Sequence, residues 1–161
     1  MRTWHDYSKS GLAFTEGFEG LRLTAYQDQG GVWTIGYGHT LGVIPGKTIT
    51  QLQAEMYLLQ DIQSAVGVVN NLVTIDLTQN EFDALVDFVF NVGSGNFRTS
   101  TLLKKLNAND ITGAALEFDK WDHDKGKVVA GLLRRRQNET EEFDGNSTIS
   151  GTGNLSDSSK V

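Results

Sequence analysis

The longest regular pattern of apolar positions in the chain begins after Thr50 and predicts one long helix. The segment Thr50-Gln51-Leu52-Gln53 has the form of a capping box, in which a Thr and a Gln three residues later satisfy free backbone N–H groups at a helix start. Apolar residues then recur at steps of three and four, which is the helical repeat. The pattern predicts a helix over 51–70, about 30 Å long and able to join two lobes. Its apolar face is expected to contain Leu52, Met56, Leu59, Ile62, Val66 and Val69.

Other segments predict more helices and a single hairpin. Each helix is indicated by helical spacing of apolar residues and by a capping residue or a glycine at one end. They are a helix capped by Ser10 that ends near Glu19, one that runs from the capping box Thr78–Glu81 to the turn at 93–95, and helices over 101–107, 112–120 and 128–143. The only β-like region is 21–37, where β-branched and aromatic segments flank a turn at 27–31. The chain is therefore predicted to be α+β and mostly α-helical.

Composition narrows the class of protein. A chain of 161 residues has the length of one domain, large enough for two lobes. It contains no cysteine, which excludes disulfides and thiolate metal sites. No apolar stretch approaches the roughly 18 residues of a membrane span, and the first residues lack the apolar core of a signal peptide. We therefore expect synthesis in the cytoplasm without a membrane anchor. Residues 144–161 are rich in Gly, Ser and Thr and are predicted to form a disordered tail after a domain over 1–143.

The charge of the chain is unevenly distributed. The net charge is −6, yet residues 98–136 carry nine basic and five acidic side chains. A basic segment on an acidic protein can contact an anionic partner, although a solvated helical face is the other interpretation. If the segment binds such an anionic partner, neutralising Arg135 and its neighbours should weaken that association.

The clearest candidate chemistry lies between Glu19 and Thr34. The pattern places Glu19 at the end of a helix, Asp28 in the following hairpin turn and Thr34 nearby on a strand. A glycosidase needs a protonated acid on one side of the scissile bond and an ionised carboxylate on the other. A partly shielded Glu and a solvated Asp would serve these two roles, and the Thr hydroxyl would hold a water. Two carboxylates and a Thr occur in most domains, so residue chemistry alone leaves the function open.

The spacing of these three residues resembles the catalytic signature of the phage T4-type lysozymes, glycoside hydrolase family 24. In that family a Glu is followed after eight residues by an Asp, and after five more by a Thr. Glu19, Asp28 and Thr34 have this spacing, and the flanking segments EGLRL and TIG–GH match as well. The similarity extends over about 10–143 and includes a GLxxRRxxE segment at 131–139.

The resemblance implies a fold and a reaction. The fold would have an N-terminal lobe over about 10–50, an interlobe helix over about 51–70 and a helical C-terminal lobe over about 71–143. The reaction would be hydrolysis of the bond between N-acetylmuramic acid and N-acetylglucosamine with inversion at the anomeric carbon. Glu19 would be the general acid, Asp28 would stabilise positive charge or orient water, and Thr34 would position that water.

The resemblance also implies supporting residues. His39 is expected to pair with Asp61 on the interlobe helix rather than act as a base or a metal ligand. Arg135 is expected to reach the active-site Glu or to close the lobes, while the arginines beside it are solvated. Glu16 is a second carboxylate near the site, but the motif spacing selects Glu19, and helix surface is the expected place of Glu16.

Three residues are candidates for substrate binding. Phe90 and Asn91 resemble the wall of the family's substrate cleft, and Trp121 falls where its C-terminal lobe carries a tryptophan. Aromatic rings at helical positions pack in the core as often as they bind sugars, so both interpretations stay open. The amide of Asn91 suits N-acetyl and hydroxyl groups. No cofactor or metal is expected, because there is no HExxH motif and the three histidines are far apart in sequence.

Several biological roles fit this chemistry. A free endolysin would be a monomer that binds peptidoglycan, depends on a holin only for release, and binds no nucleic acid. A lysozyme module of a virion and a catalytically silent wall-binding module are alternatives of other classes. A lytic transglycosylase needs one acidic residue and no water, so the presence of both Asp28 and Thr34 argues against it.

Overall fold

The computed structural model describes residues 4–124 and 126–145. Within these ranges the chain forms seven α-helices, one 3-10 turn and two short antiparallel hairpins. The helices are α1 (Lys9–Glu19), α2 (Gln51–Leu72), α3 (Gln79–Val92), α4 (Ser94–Arg98), α5 (Thr101–Asn107), α6 (Ile111–Ala115) and α7 (Ala130–Phe143), with the 3-10 turn at Phe118–Lys120. The strands are β1 (Arg22–Gln27), β2 (Trp33–Gly36), β3 (His123–Asp124) and β4 (Lys127–Val128). The predicted α+β, mostly helical class is confirmed.

Two hydrophobic clusters form the cores of two lobes, and α2 runs through both. Ala54 and Leu58, in the first half of α2, belong to a small cluster with Ile35 of β2 and with Tyr37 and Ile49. Ile62 and Val66, in its second half, belong to a larger cluster that is built mainly from α2, α3 and α5. Phe90 of α3 is half-buried and packs against both clusters. The interlobe helix is therefore a shared element of both cores.

The β1–β2 hairpin carries the predicted site. Tyr26 pairs with Thr34 and Gln27 with Trp33, and the register shifts between Arg22 and Tyr26. A later extended segment runs along the other side of β1, where the N–H of Ala25 donates to the carbonyl of Lys47 over 2.8 Å. Because β1 has hydrogen-bonded neighbours on both sides, the strand that leads into the β1–β2 turn is more stable than a strand of an isolated hairpin.

Both predicted capping boxes are present, at Thr50 with Gln53 and at Thr78 with Glu81. The cap predicted for the first helix is wrong by two residues. Ser8 rather than Ser10 caps α1, and its hydroxyl accepts from the N–H of Gly11 over 2.9 Å. Ser8 also bonds to a carboxylate of α3, and this distant partner favours the earlier start.

Other predictions from the apolar pattern need correction. Leu52, Met56 and Leu59 are exposed, because the first half of α2 meets only the small cluster and turns Ala54 and Leu58 toward it. The second hairpin (β3–β4) was not predicted, nor was α4, which starts within the expected turn at 93–95. The helix predicted over 112–120 is divided between α6 and the 3-10 turn.

The predicted tail, residues 144–161, lies outside the described residues from 146 onward. The lobe boundaries remain a prediction, and α1 has neighbours in both lobes: it packs against α3, while its Leu12 packs against the small cluster. No helix in the described part of the chain is long and apolar enough to cross a membrane.

Candidate active site

Glu19 is the last residue of α1, and its two carboxylate oxygens have different neighbours. Oε2 accepts a hydrogen bond from Nη1 of Arg135 over 2.6 Å. Oε1 lies beside Gly38, where an added Cβ would stand 3.2 Å from it. The side chain is 20% exposed, so it is shielded but reachable. Because an arginine can only donate, an acid proton on Glu19 must sit on Oε1.

Asp28 lies in the turn between β1 and β2, and the backbone of that turn holds its side chain. Oδ1 accepts from the N–H groups of Gly30 and Val32, each over 2.9 Å. The main chain of Asp28 also bonds to Val32 and to Gly31, which closes the turn. Oδ2 makes no hydrogen bond with the residues that the structure describes. The carboxylate is thus fixed through one oxygen, while the other is available to a water or a sugar.

Thr34 is buried in β2, and its hydroxyl donates to the carbonyl of Val32 over 2.9 Å. Val32 therefore bonds to Asp28 through its N–H and to Thr34 through its carbonyl. The hydroxyl of Thr34, having donated its proton, can only accept from another group such as a water. The hairpin links these two predicted residues, and Gly38, two residues after β2, brings the same segment to Glu19.

Arg135 projects from α7 and joins α1 to α3. Its Nε and Nη2 donate to the two carboxylate oxygens of Asp87 over 2.9 and 2.8 Å, and its Nη1 donates to Glu19. Burial opposes the charge of Asp87, but Arg135 and the hydrogen bonds that Asp87 receives outweigh burial and hold its pKa well below the usual range. Burial likewise opposes the charge of Arg135, yet its carboxylate partners raise its pKa. The guanidinium therefore remains a cation inside the protein.

His39 and Asp61 are in contact, with Nδ1 of the imidazole 2.9 Å from a carboxylate oxygen. The imidazole is buried, and it stacks on the ring of Tyr57 at a centroid distance of 4.3 Å. The pair connects the turn after β2 to α2. Its role in supporting the site stays a prediction.

We expect Asp61→Asn to lower the free energy of unfolding by no more than about 1 kcal/mol, because Asp61 is partly exposed and an amide oxygen can still accept from the imidazole. Urea unfolding at neutral pH measures this, with exposed Asp76→Asn as a control for the change of net charge. A loss above roughly 3 kcal/mol would instead indicate that His39 and Asp61 act as a buried ion pair.

The three predicted substrate-binding residues line two separate depressions. Phe90 lies beside Asp61 of α2 in one of them. Asn91 is exposed and shares the other with Trp121. Trp121 is half-buried, and its ring makes a T-shaped contact with the ring of Phe88 at a centroid distance of 5.8 Å. The structure thus brings Asn91 and Trp121 together and leaves Phe90 apart from them.

The prediction that the arginines beside Arg135 are solvated is wrong for Arg136. Its side chain is fully buried and bonds to Glu139 over 2.8 Å. Its guanidinium lies over the ring of Phe88 at 5.1 Å. Because Arg135 and Arg136 are both buried in ion pairs, they cannot contribute to a basic surface that binds an anionic wall. Neutralising them would disturb the interior instead.

Sequence reasoning missed Asp87 and Gly38. Asp87 lies in a run of α3 whose other members are mostly apolar, and a buried carboxylate requires a partner. The consecutive arginines of α7 could supply such a partner, so the sequence did contain an indication of this pair. Gly38 has a φ of 88°, which is typical of a glycine in a hairpin or turn. Its second property, proximity to Glu19, depends on packing between α1 and the hairpin.

Within residues 4–124 and 126–145, no group of three or more His, Cys, Asp or Glu side chains could hold a metal ion. The arrangement instead offers a shielded carboxyl group with one free oxygen and, in the hairpin, a second carboxylate and a hydroxyl that are both hydrogen-bonded to Val32. Such a pair can protonate a leaving oxygen and direct a water.

Comparison with known proteins agrees with this chemistry. The family model described as phage lysozyme matches residues 16–139. An endolysin of Acyrthosiphon pisum secondary endosymbiont phage 1 is 48% identical over 143 residues, which cover 85% of this chain and 97% of that protein. An endolysin of Bacillus phage B103 is 44% identical over 139 residues, and the match spans 84% of this chain but only 53% of that longer protein.

A solved structure shows the same fold. The muramidase domain of SpmX from Asticaccaulis excentricus superposes with a TM-score of 0.82 at 42% sequence identity, covering 86% of this chain and 97% of that domain. The two-lobed lysozyme fold predicted from the sequence is therefore confirmed. The chain belongs to the phage lysozyme family and is a glycosidase of the endolysin type.

Proposed function

We propose that this endolysin hydrolyses the β-1,4 bond between N-acetylmuramic acid and N-acetylglucosamine with Glu19 as general acid, and that the anomeric carbon is inverted. The observation that carries this assignment is the asymmetric environment of the Glu19 carboxyl group. Oε2 accepts a hydrogen bond from Arg135. Oε1 lies next to Gly38, and because glycine has no side chain, space remains beside this oxygen.

The acid step follows from this asymmetry. In the protonated state Oε1 carries the proton, and Oε2 keeps its hydrogen bond to Arg135. The glycosidic oxygen approaches Oε1 in the space that Gly38 leaves open and takes the proton as the bond to the anomeric carbon breaks. After transfer Glu19 is an anion beside a cation, so Arg135 stabilises the product state of the acid.

The hairpin serves the opposite face of the sugar. The developing positive charge on the ring is stabilised by the ionised Asp28, whose Oδ1 is held by two backbone N–H groups. A water that hydrogen-bonds to the free Oδ2 and to the Thr34 hydroxyl would present its lone pair to the anomeric carbon. As its oxygen bonds to that carbon and the bond to the glycosidic oxygen breaks, one water proton passes to Oδ2 of Asp28. Direct attack by this water, without a covalent intermediate, inverts the configuration.

Substrate contacts and biological context complete the proposal. Asn91 and Trp121 offer an amide and an aromatic ring in one depression, a combination that suits an N-acetyl group and a sugar face. We propose that the protein acts as a monomer, is made in the host cytoplasm, and reaches the periplasmic wall once a holin opens the membrane. The endolysin relatives support this role.

Product analysis in heavy-oxygen water tests the reaction. Digestion of purified peptidoglycan is expected to yield reducing-end muramic acid that has gained one solvent oxygen, with the α-anomer as the first product seen by NMR. A 1,6-anhydro product without solvent oxygen would identify a lytic transglycosylase. A β-anomer as first product would refute inversion and favour a covalent intermediate.

A further inference from the structure

We infer that Asp87 is a positioning residue for the catalytic acid: it holds Arg135 in the one orientation that directs Nη1 at Glu19, and Thr15 and Tyr7 hold Asp87 in turn. This inference rests on the proposed role of Glu19. It concerns residues outside the motif, on the far side of the buried guanidinium.

Asp87 binds Arg135 in a bidentate manner. Its two oxygens accept from Nε and Nη2, which lie along one side of the guanidinium plane. Such a fork fixes both the position and the rotation of the plane. The remaining nitrogen, Nη1, then points to Oε2 of Glu19 over 2.6 Å. If only one hydrogen bond held the guanidinium, its plane could rotate. The direction of Nη1 toward Glu19 would then no longer be fixed.

The hydroxyl groups of Tyr7 and Thr15 form a chain of hydrogen bonds that ends on Asp87. Thr15 donates to Oδ1 of Asp87 over 2.8 Å, since an ionised carboxylate only accepts. Its single proton being used, Thr15 must accept from the hydroxyl of Tyr7, 2.6 Å away. Gly11 makes room for this arrangement, because a Cβ there would stand 2.5 Å from the Tyr7 ring. The segment before α1 is thereby connected to the catalytic acid through Asp87 and Arg135.

The charge of Asp87 also affects the acid. Three elements supply charged or titratable groups to the Asp87–Arg135 pair: Tyr7 from the segment before α1, Glu19 from α1 and Glu139 from α7. Asp87 provides the main negative charge that balances Arg135 besides Glu19 itself. If that charge is removed, Arg135 relies on Glu19 as its counter-ion, which favours the ionised form of the acid. The protonated form needed for catalysis then persists only at lower pH.

The decisive comparison is Asp87→Asn against Asp83→Asn, with kcat and KM measured across pH on soluble glycan strands of defined length. The amide of the Asp87→Asn variant keeps the shape of the carboxylate but presents an NH₂ group to one arm of the guanidinium. We expect the alkaline limb of the kcat profile to move down by about one pH unit, as a nearby charge does at an effective dielectric constant of about 20. On that limb the rate falls about tenfold, while KM changes little.

Asp83 is a matched control. It is buried one turn earlier on the same helix, and its partners are Ser8 and Gln79 rather than Arg135. Asp83→Asn should lower the melting temperature and leave the pH profile of the folded enzyme unchanged. If the two variants give the same profile, whether shifted or not, Asp87 has only a structural role and the inference is overturned.

Two further variants cover the case in which Asp87→Asn does not fold. Thr15→Val removes the hydroxyl donor to Asp87 and should lower kcat, whereas Thr15→Ser should restore it; equal kcat values for both would overturn the inference. Glu19→Gln separates this inference from the proposed function. If Glu19→Gln is inactive while Asp87→Asn keeps the wild-type profile, only the positioning role fails; if Glu19→Gln is active, the assignment of the acid fails.

Discussion

Glu19→Gln is expected to reduce kcat for peptidoglycan hydrolysis by about 10²- to 10⁴-fold, the usual contribution of a general acid. The glutamine oxygen can still accept from Nη1 of Arg135, so the buried contact and the fold should survive. What the amide lacks is an acidic proton for the glycosidic oxygen. Release of reducing ends from soluble strands measures kcat, and the melting temperature verifies that the variant is folded.

Glu16→Gln is the matched control, and it is also a test of the rival acid. Glu16 lies one turn earlier on α1 and is half-buried; burial and the charge of Glu55 raise its pKa, although a hydrogen bond from Tyr37 opposes this. A raised carboxyl pKa is typical of a general acid, so chemistry alone does not dismiss Glu16. We expect Glu16→Gln to keep activity within a few-fold of wild type. Loss of activity in Glu16→Gln with retention in Glu19→Gln would reverse the assignment.

Features determined by neighbouring residues were predictable from the sequence. The starts of α2 and α3 depend on side chains within one turn, and both capping boxes were found, at Thr50 and Thr78. The hairpin turn at Asp28 depends on glycines next to it in sequence. The three motif residues were also predictable, because they lie close together in sequence, at the end of α1 and in the hairpin that follows it.

Features determined by packing were not predictable. Glu19 and Arg135 are 116 residues apart, and Asp87 and Arg135 are 48 apart. The resemblance indicated Arg135, but no periodicity indicates which buried carboxylate completes the group. The exposed residues at the start of α2 have the same cause: a helical repeat predicts an apolar face but not how much core that face will meet. Long-range complementarity of charge and volume decides both cases.

Gly38→Ala is expected to reduce kcat about 100-fold, because the added methyl group intrudes where the scissile oxygen must approach the acid. The new Cβ would stand 3.2 Å from Oε1 of Glu19, so either the carboxyl group moves or the approach is blocked. Displacement of a reacting group by about 1 Å commonly costs this much. The φ of 88° adds strain of about 1–2 kcal/mol, which should appear as a loss of stability in urea.

Gly42→Ala separates strain from obstruction. Gly42 also has a positive φ, 71°, and an added Cβ there would meet nothing within 4 Å. Both alanine variants should therefore lose similar stability, and only Gly38→Ala should lose activity at a temperature where both are folded. Equal activities would show that the space beside Oε1 is not the path of the proton. A loss confined to Gly38→Ala would mean that this glycine serves the acid as directly as Arg135 does, one keeping Oε1 accessible and the other holding Oε2.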